Sequence, residues 1–167
     1  DGGWVSTHED ITQRRDSERR LAYMARHDAL TGLPNRMHLR ERLADELTRI
    51  HPGERLAVLY LDIDKFKAVN DMLGHATADE YLRAFAERLR RAIDPHDFVA
   101  RIGADQFAVI QTGSVRSAAE TAALATRLCE IGRLPQRLDE QTVVVDVTIG
   151  IAVAPGDGLN AETLIKN

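Results

Sequence analysis

Three stretches of this sequence carry side chains whose types and spacing suit phosphate chemistry. In L-Y-L-D-I-D-K-F-K, residues 59–67, Asp62 and Asp64 stand two apart at the end of an apolar run, so on a strand both carboxylates face one side. A carboxylate at the rim of a core strand loses hydration and needs a partner. A divalent cation is one such partner, since magnesium takes one or two carboxylates and fills its shell with substrate phosphates. A role in capping the next turn is the alternative. In A-R-I-G-A-D-Q-F-A-V-I, residues 100–110, a tight hairpin carries Gly103, Ala104 and Asp105 at its turn, where Asp105 could face Asp62 across a metal. The same turn also serves simply as a good hairpin. In K-A-V-N-D-M-L-G-H-A-T-A-D, residues 67–79, Asn70 offers donors and acceptors while Asp79 accepts, a pair able to read a purine edge. Residues 65–67 follow the strand directly, and their free backbone N–H groups could hold phosphates. The alternative is a loop turned by Asn70, with Asp79 capping the following helix.

The elements that must position these residues follow from periodicity. Leu39, Leu43, Leu47 and Ile50 mark one helical face, ended by His51-Pro52-Gly53. Residues 56–63 are almost continuously apolar, as in a strand buried on both faces. Leu82, Phe85, Ala86, Leu89 and Ile93 stripe a second helix. Residues 98–110 read as two strands flanking Gly103, and 116–131 as an Ala-rich helix holding Cys129 in the core. Val143, Val145, Val147, Ile149, Ile151 and Val153 alternate as the longest strand, all on one face. Hairpin-linked strands mixed with helices favour an α+β fold with a mainly antiparallel sheet. Upstream, 12–27 is a charged helix whose narrow stripe of Leu21, Met24 and Ala25 suits packing on a partner helix. Residues 1–10 read as a turn and a short strand. Gly32 and Pro34 break the helix, placing a boundary at Asp28.

Composition removes other classes. With 22 Lys plus Arg against 26 Asp plus Glu, the net charge of −4 argues against sequence-independent nucleic-acid binding or a polybasic membrane role. One cysteine excludes an internal disulfide framework and a Cys-rich zinc site. The six histidines show no metal-ligand spacing. No run approaches the roughly 18 apolar residues of a membrane span. A cytoplasmic localisation is expected.

D-A-L-T-G-L-P-N-R, then L-D-I-D-K-F-K-A-V-N-D-M-L-G-H, then R-I-G-A-D-Q-F resemble, in order and spacing, the GGDEF (diguanylate cyclase) family over residues 28–167. D-G-G-W-V-S-T-H-E-D-I-T-Q-R-R resembles the end of a PAS sensor domain, over 1–11, and 12–27 then resembles the family's signalling linker helix. The resemblance implies a nucleotide-cyclase/polymerase-palm-like fold with a ferredoxin-like core. It implies joining of two GTP into cyclic di-GMP by a dimer, with magnesium stabilising the developing charge. Carried over by position, Asp62, the Ile63 carbonyl and Asp105 would bind metal, and Asp105 would also help deprotonate the attacking hydroxyl. Asn70 and Asp79 match the guanine-reading positions. Phe66 and Lys67 match the phosphate cradle, and Gly103 and Ala104 the hairpin under the nucleotide. Asp64 belongs to the pattern without an assigned role.

The chain departs from the family at three points around this pocket. Gln106 replaces a glutamate, keeping its shape but losing its charge, so it can neither act as a base nor neutralise magnesium. Ala104 replaces a glycine, at a cost of roughly 1 kcal/mol if the position needs a positive φ. Ala78 stands where glycine usually precedes the guanine-reading Asp79. The family's R-x-x-D product-inhibition site becomes Asp94-Pro95-His96-Asp97, in which Asp97 is kept and the arginine is absent at Asp94. The resulting expectation is a degenerate GGDEF domain that binds GTP with magnesium and relays a signal from a PAS sensor to a downstream EAL phosphodiesterase domain. An active cyclase and a ligand-free dimerisation module are the alternatives. The family's final helix, with further phosphate-holding cations, is expected beyond Asn167.

Overall fold

The computed structural model describes residues 11–112, 117–138 and 140–166; the expected strand at 1–10 lies outside them. Twelve elements are described: α1 (Ile11–Arg26), α2 (Arg36–Arg49), β1 (Leu56–Ile63), α3 (Phe66–Leu73), α4 (His75–Ala92), β2 (Phe98–Arg101), β3 (Gln106–Gln111), α5 (Ala118–Gly132), β4 (Gln136–Leu138), β5 (Gln141–Val143), β6 (Val147–Ala154) and α6 (Ala161–Lys166). The main sheet has the order β2-β3-β1-β6, every neighbouring pair antiparallel, and β4 and β5 form a separate hairpin. That winding, with β1 central and α3–α4 and α5 as its crossovers, is the expected ferredoxin-like α+β core.

Strand β1 is almost continuously apolar, with Asp62 near its end, because both its faces are covered. Ala57, Leu59, Leu61 and Ile63 pack with Phe107 and Val109 of β3 beneath Tyr81, Phe85 and Leu89 of α4 and Leu128 of α5. Leu56 and Val58 point the other way, with Ala108 and Ile110, onto Leu39 and Leu43 of α2 and Leu164 of α6. Full burial of such side chains contributes about 1.5–3 kcal/mol each, which fixes the register and with it the site at the strand's end.

Two expectations about elements are corrected. The alternating valines do not make one strand. Val143 ends β5 and Val147 begins β6, because between them the Asp146 carbonyl accepts from Asp64 N–H at 2.9 Å and its carboxylate binds Arg133 at 2.7 Å. Asn70 lies inside α3 rather than in a loop, and Asp79 is not a cap: α4 starts at His75 after Gly74, whose φ of 81° ends one helix and admits the next. Among the described residues no helix is long and apolar enough to cross a membrane.

Candidate functional site

The chain leaves the centre of the sheet at Ile63, and two neighbouring strands bring the other candidate residues to that point. Asp62 lies opposite Gln106 of β3 and opposite Thr148 of β6. Ile63 N–H donates to the Asp105 carbonyl at 3.1 Å, holding the tip of the 102–105 hairpin loop against the strand end. The Gln106 side chain crosses to Asp62, its Nε2 donating to Oδ2 at 2.9 Å. Asp64, in the turn beyond β1, accepts from the Thr148 hydroxyl at 2.8 Å. Asp62, Asp64, Asp105 and Gln106 are thus gathered at one end of the sheet.

The hairpin glycine is needed for space rather than for its backbone angle. A Cβ on Gly103 would lie 2.9 Å from Gln106 Oε1 and 3.2 Å from Gln106 Cβ, so any other residue would press on that side chain where it folds inward toward Asp62. Ala104 is not in the left-handed region, where Lys65 is the non-glycine found among the described residues. The expected backbone cost at Ala104 therefore does not arise.

On the helical side, Lys65 adopts φ 57° and turns the chain from β1 into α3. The Asp64 N–H is taken by Asp146, and those of Ala68 and Val69 by the Lys65 carbonyl. The N–H groups of Phe66 and Lys67 point out of the first turn of α3, where a helix end favours anions. The Phe66 ring is buried under α4 and the Lys67 side chain is exposed. Asn70 and Asp79 sit half-buried on the two helices that meet at Gly74, and Ala78 is buried beside Asp79.

A cavity of about 330 Å³ opens on the α2 face of the sheet, lined by Arg36, Tyr60, Asp62, Gln106, Thr148 and Gly150. The Tyr60 hydroxyl has no partner among the described residues. Burial pushes its pKa up to about 12, opposed by the Arg36 charge. Among the described residues no cluster of three or more His, Cys, Asp or Glu side chains could hold a metal. The oxygen donors at hand are those magnesium takes when substrate phosphates complete its shell, so the residues fit a cation that arrives with a nucleotide.

A further residue, passed over in the sequence, ties this site to α1. Arg101 ends β2 with one guanidinium nitrogen donating to Asp28 Oδ1 at 2.9 Å and the other to the Ala104 carbonyl at 2.6 Å. Its own N–H donates to Pro34 O at 2.9 Å. Asp28 also takes the Thr31 N–H at 2.9 Å and the Thr31 hydroxyl at 2.7 Å. Asn35 closes the turn, donating from its N–H to Arg26 O and from Nδ2 to Ala25 O, both at 2.8 Å. The first motif, D-A-L-T-G-L-P-N-R, is therefore a bolted turn between α1 and the hairpin.

The window at 94–97, matched by resemblance to a product-inhibition site, is tied into the fold by its aspartate. Asp97 accepts the Thr112 N–H at 2.9 Å. Burial raises its pKa; the Thr112 and Asp94 backbone hydrogen bonds oppose that, and the Asp94 charge adds to it. Arg91 pairs with Glu87 on the exposed helix face at 2.9 Å. Cys129 is half-buried, its thiol near the Val147 carbonyl.

Comparison with known proteins points one way. The family described as diguanylate cyclase, GGDEF domain, matches residues 25–167. The chain is 40% identical over 152 residues, 90% of its length, to the bifunctional diguanylate cyclase/cyclic di-GMP phosphodiesterase MucR of Pseudomonas aeruginosa, covering 22% of that protein. A crystal structure of a sensory box/GGDEF family protein from Caulobacter crescentus superposes with a TM-score of 0.80 at 40% identity, over 84% of this chain and 91% of that one. The GGDEF domain of TpbB from Pseudomonas aeruginosa gives 0.79 at 39% identity, over 84% and 82% of the two chains. The chain spans about a fifth of the length of the first curated relatives it matches.

Proposed function

This chain belongs to the diguanylate cyclase (GGDEF) family of cyclic di-GMP signalling proteins, and from that premise we propose that it is a degenerate member which binds GTP with magnesium and acts as a relay. The observation that carries this reading is the Gln106 amide against Asp62, at a hairpin position where turnover calls for a charged carboxylate. In the proposed site Phe66 and Lys67 N–H groups and the Lys67 ammonium hold phosphates, and Asn70 and Asp79 read the guanine edge. Asp62, the Ile63 carbonyl and Asp105 hold the magnesium, which when bound would stabilise charge on the phosphates. Gln106 neither accepts a proton at neutral pH nor lends a charge, which leaves Asp105 as the one carboxylate of the hairpin, and the bound nucleotide is held without efficient activation of an attacking hydroxyl.

The relay rests on the bolted turn. Asp28, two residues beyond α1, is joined through Arg101 to the Ala104 carbonyl, a route by which a movement of α1 would reach the hairpin. Leu21 and Met24 are each 67% exposed on α1, a stripe that suits a second copy of the helix and hence a homodimer. A PAS sensor before α1 and an EAL phosphodiesterase domain after the catalytic fold complete the proposed cytoplasmic protein. The sensory box of the Caulobacter relative and the double activity in the MucR name support that arrangement.

Calorimetry with GTP and magnesium, alongside chromatography for cyclic di-GMP, tests the reading. Saturable binding with little product is expected, and the double variant Gln106→Glu, Ala104→Gly should raise product sharply. Wild-type turnover equal to that of the double variant would make the protein an active cyclase, a reading the retained Asp62 and Asp105 favour. No binding at millimolar GTP would leave a dimerisation module.

A further inference from the structure

We propose that Gln106 is an internal lock on Asp62: its amide holds the carboxylate oxygen that a divalent cation would need, so amide and cation exclude each other there. This rests on the reading of Asp62 as a metal-binding residue and goes beyond it, because it concerns the protein before nucleotide arrives. Gln106 and Asp62 are directly opposed across β1 and β3, and the contact is a 2.9 Å hydrogen bond from Nε2 to Oδ2. A carboxylate only accepts, so the nitrogen of the amide must be the atom that faces it. The amide is seated from behind as well, because Gly103 leaves the space that any Cβ would fill, 2.9 Å from Oε1. The contact gives Asp62 Oδ2 a donor without a cation and without a second charge. A glutamate in the same place would set two carboxylates against each other, an arrangement that like-charge repulsion disfavours across a strand pair until a cation bridges them.

The chain therefore has little affinity for free divalent metal, and a cation enters only with nucleotide phosphates that repay the lost hydrogen bond. The test uses nucleotide-free protein, with manganese followed by water-proton relaxation and melting compared in chelator and in millimolar magnesium. Wild type should show no relaxation enhancement at millimolar manganese and the same Tm in both conditions. Gln106→Glu should bind manganese at least about tenfold more tightly. Its Tm should fall by about 2–4 °C in chelator and recover with magnesium. Gln106→Ala, which frees the oxygen without adding charge, should lie between the two in manganese affinity and guards against a glutamate variant that fails to fold. Equal manganese binding by all three proteins, or a wild-type Tm that rises with magnesium as much as that of Gln106→Glu, overturns the lock. Failure of GTP to bind in a separate arm overturns the nucleotide reading while leaving the metal-only comparison intact.

Discussion

Replacing Arg101 by Met removes the guanidinium while keeping the apolar stem, and it tests whether the bolted turn is held by charge. The side chains of Arg101 and Asp28 are 11% and 24% exposed, so neither is a free surface charge. Hydrogen bonds to charged groups contribute about 1.5–3 kcal/mol each, and Arg101 makes two through its fork. Asp28 keeps the Thr31 N–H and hydroxyl after the change, so the carboxylate is not stranded and the sum is discounted to about 2–4 kcal/mol. That corresponds to a Tm lower by about 5–12 °C. Urea denaturation of Arg101→Met, Asp28→Asn and the double variant should give a coupling of about 1–2 kcal/mol. Lysine at 101 should recover less than half, since one ammonium cannot reach both Asp28 and Ala104. The coupling should also depend on pH. Burial raises the Asp28 pKa, but hydrogen bonds from Thr31 and Arg101 outweigh it and hold the carboxyl below its ordinary value. Its contribution is therefore present above the unfolded value and disappears as pH falls below about 4. A coupling under about 0.3 kcal/mol at neutral pH would refute the clamp.

Two further outcomes are expected. Gly132→Ala should destabilise by about 1–3 kcal/mol in urea melts, because a Cβ there meets the Val147 side chain, with Val147 Cβ at 3.1 Å and its Cγ2 closer still. His38 should make stability fall on acidification: burial first, then the His27 and Arg26 charges, hold its pKa below the ordinary value against the opposing pull of Glu41. Neutral His38 is thus favoured by folding, a contribution present above about pH 6.5 and lost as pH drops through the folded value. Tm measured from about pH 7.5 to 5.5 should decline, and His38→Asn should flatten the decline.

Short-range patterns were read well where one physical cause governs them. The almost continuous apolar run of β1 follows from burial on both faces, and the hairpin at 102–105 follows from its turn residues. The gathering of Asp62, Asp105 and Gln106 was legible only because three motifs occur in a family's order; no single motif fixes it. Failures came where distant chain intervenes. The valine alternation from 143 to 153 has a strand's period, yet Asp146 turns its carbonyl to Asp64 instead of a strand partner. Asp79 has the chemistry of a cap, but Gly74 starts α4 one turn earlier. The role of Gly103 depends on where a side chain three residues away folds, which composition does not reveal.

The position of β1 also has a meaning for synthesis. Its partner β3 ends at Gln111, whereas its other partner, β6, is complete only at Ala154. At about 5–20 residues per second, some 40 further residues take about 2–8 s to make. During that interval a strand of sequence L-A-V-L-Y-L-D-I has one edge unpaired on the ribosome. Nascent chains of this fold therefore pass through a window of exposure to aggregation, and Asp62 is the charge that interrupts the run at its end.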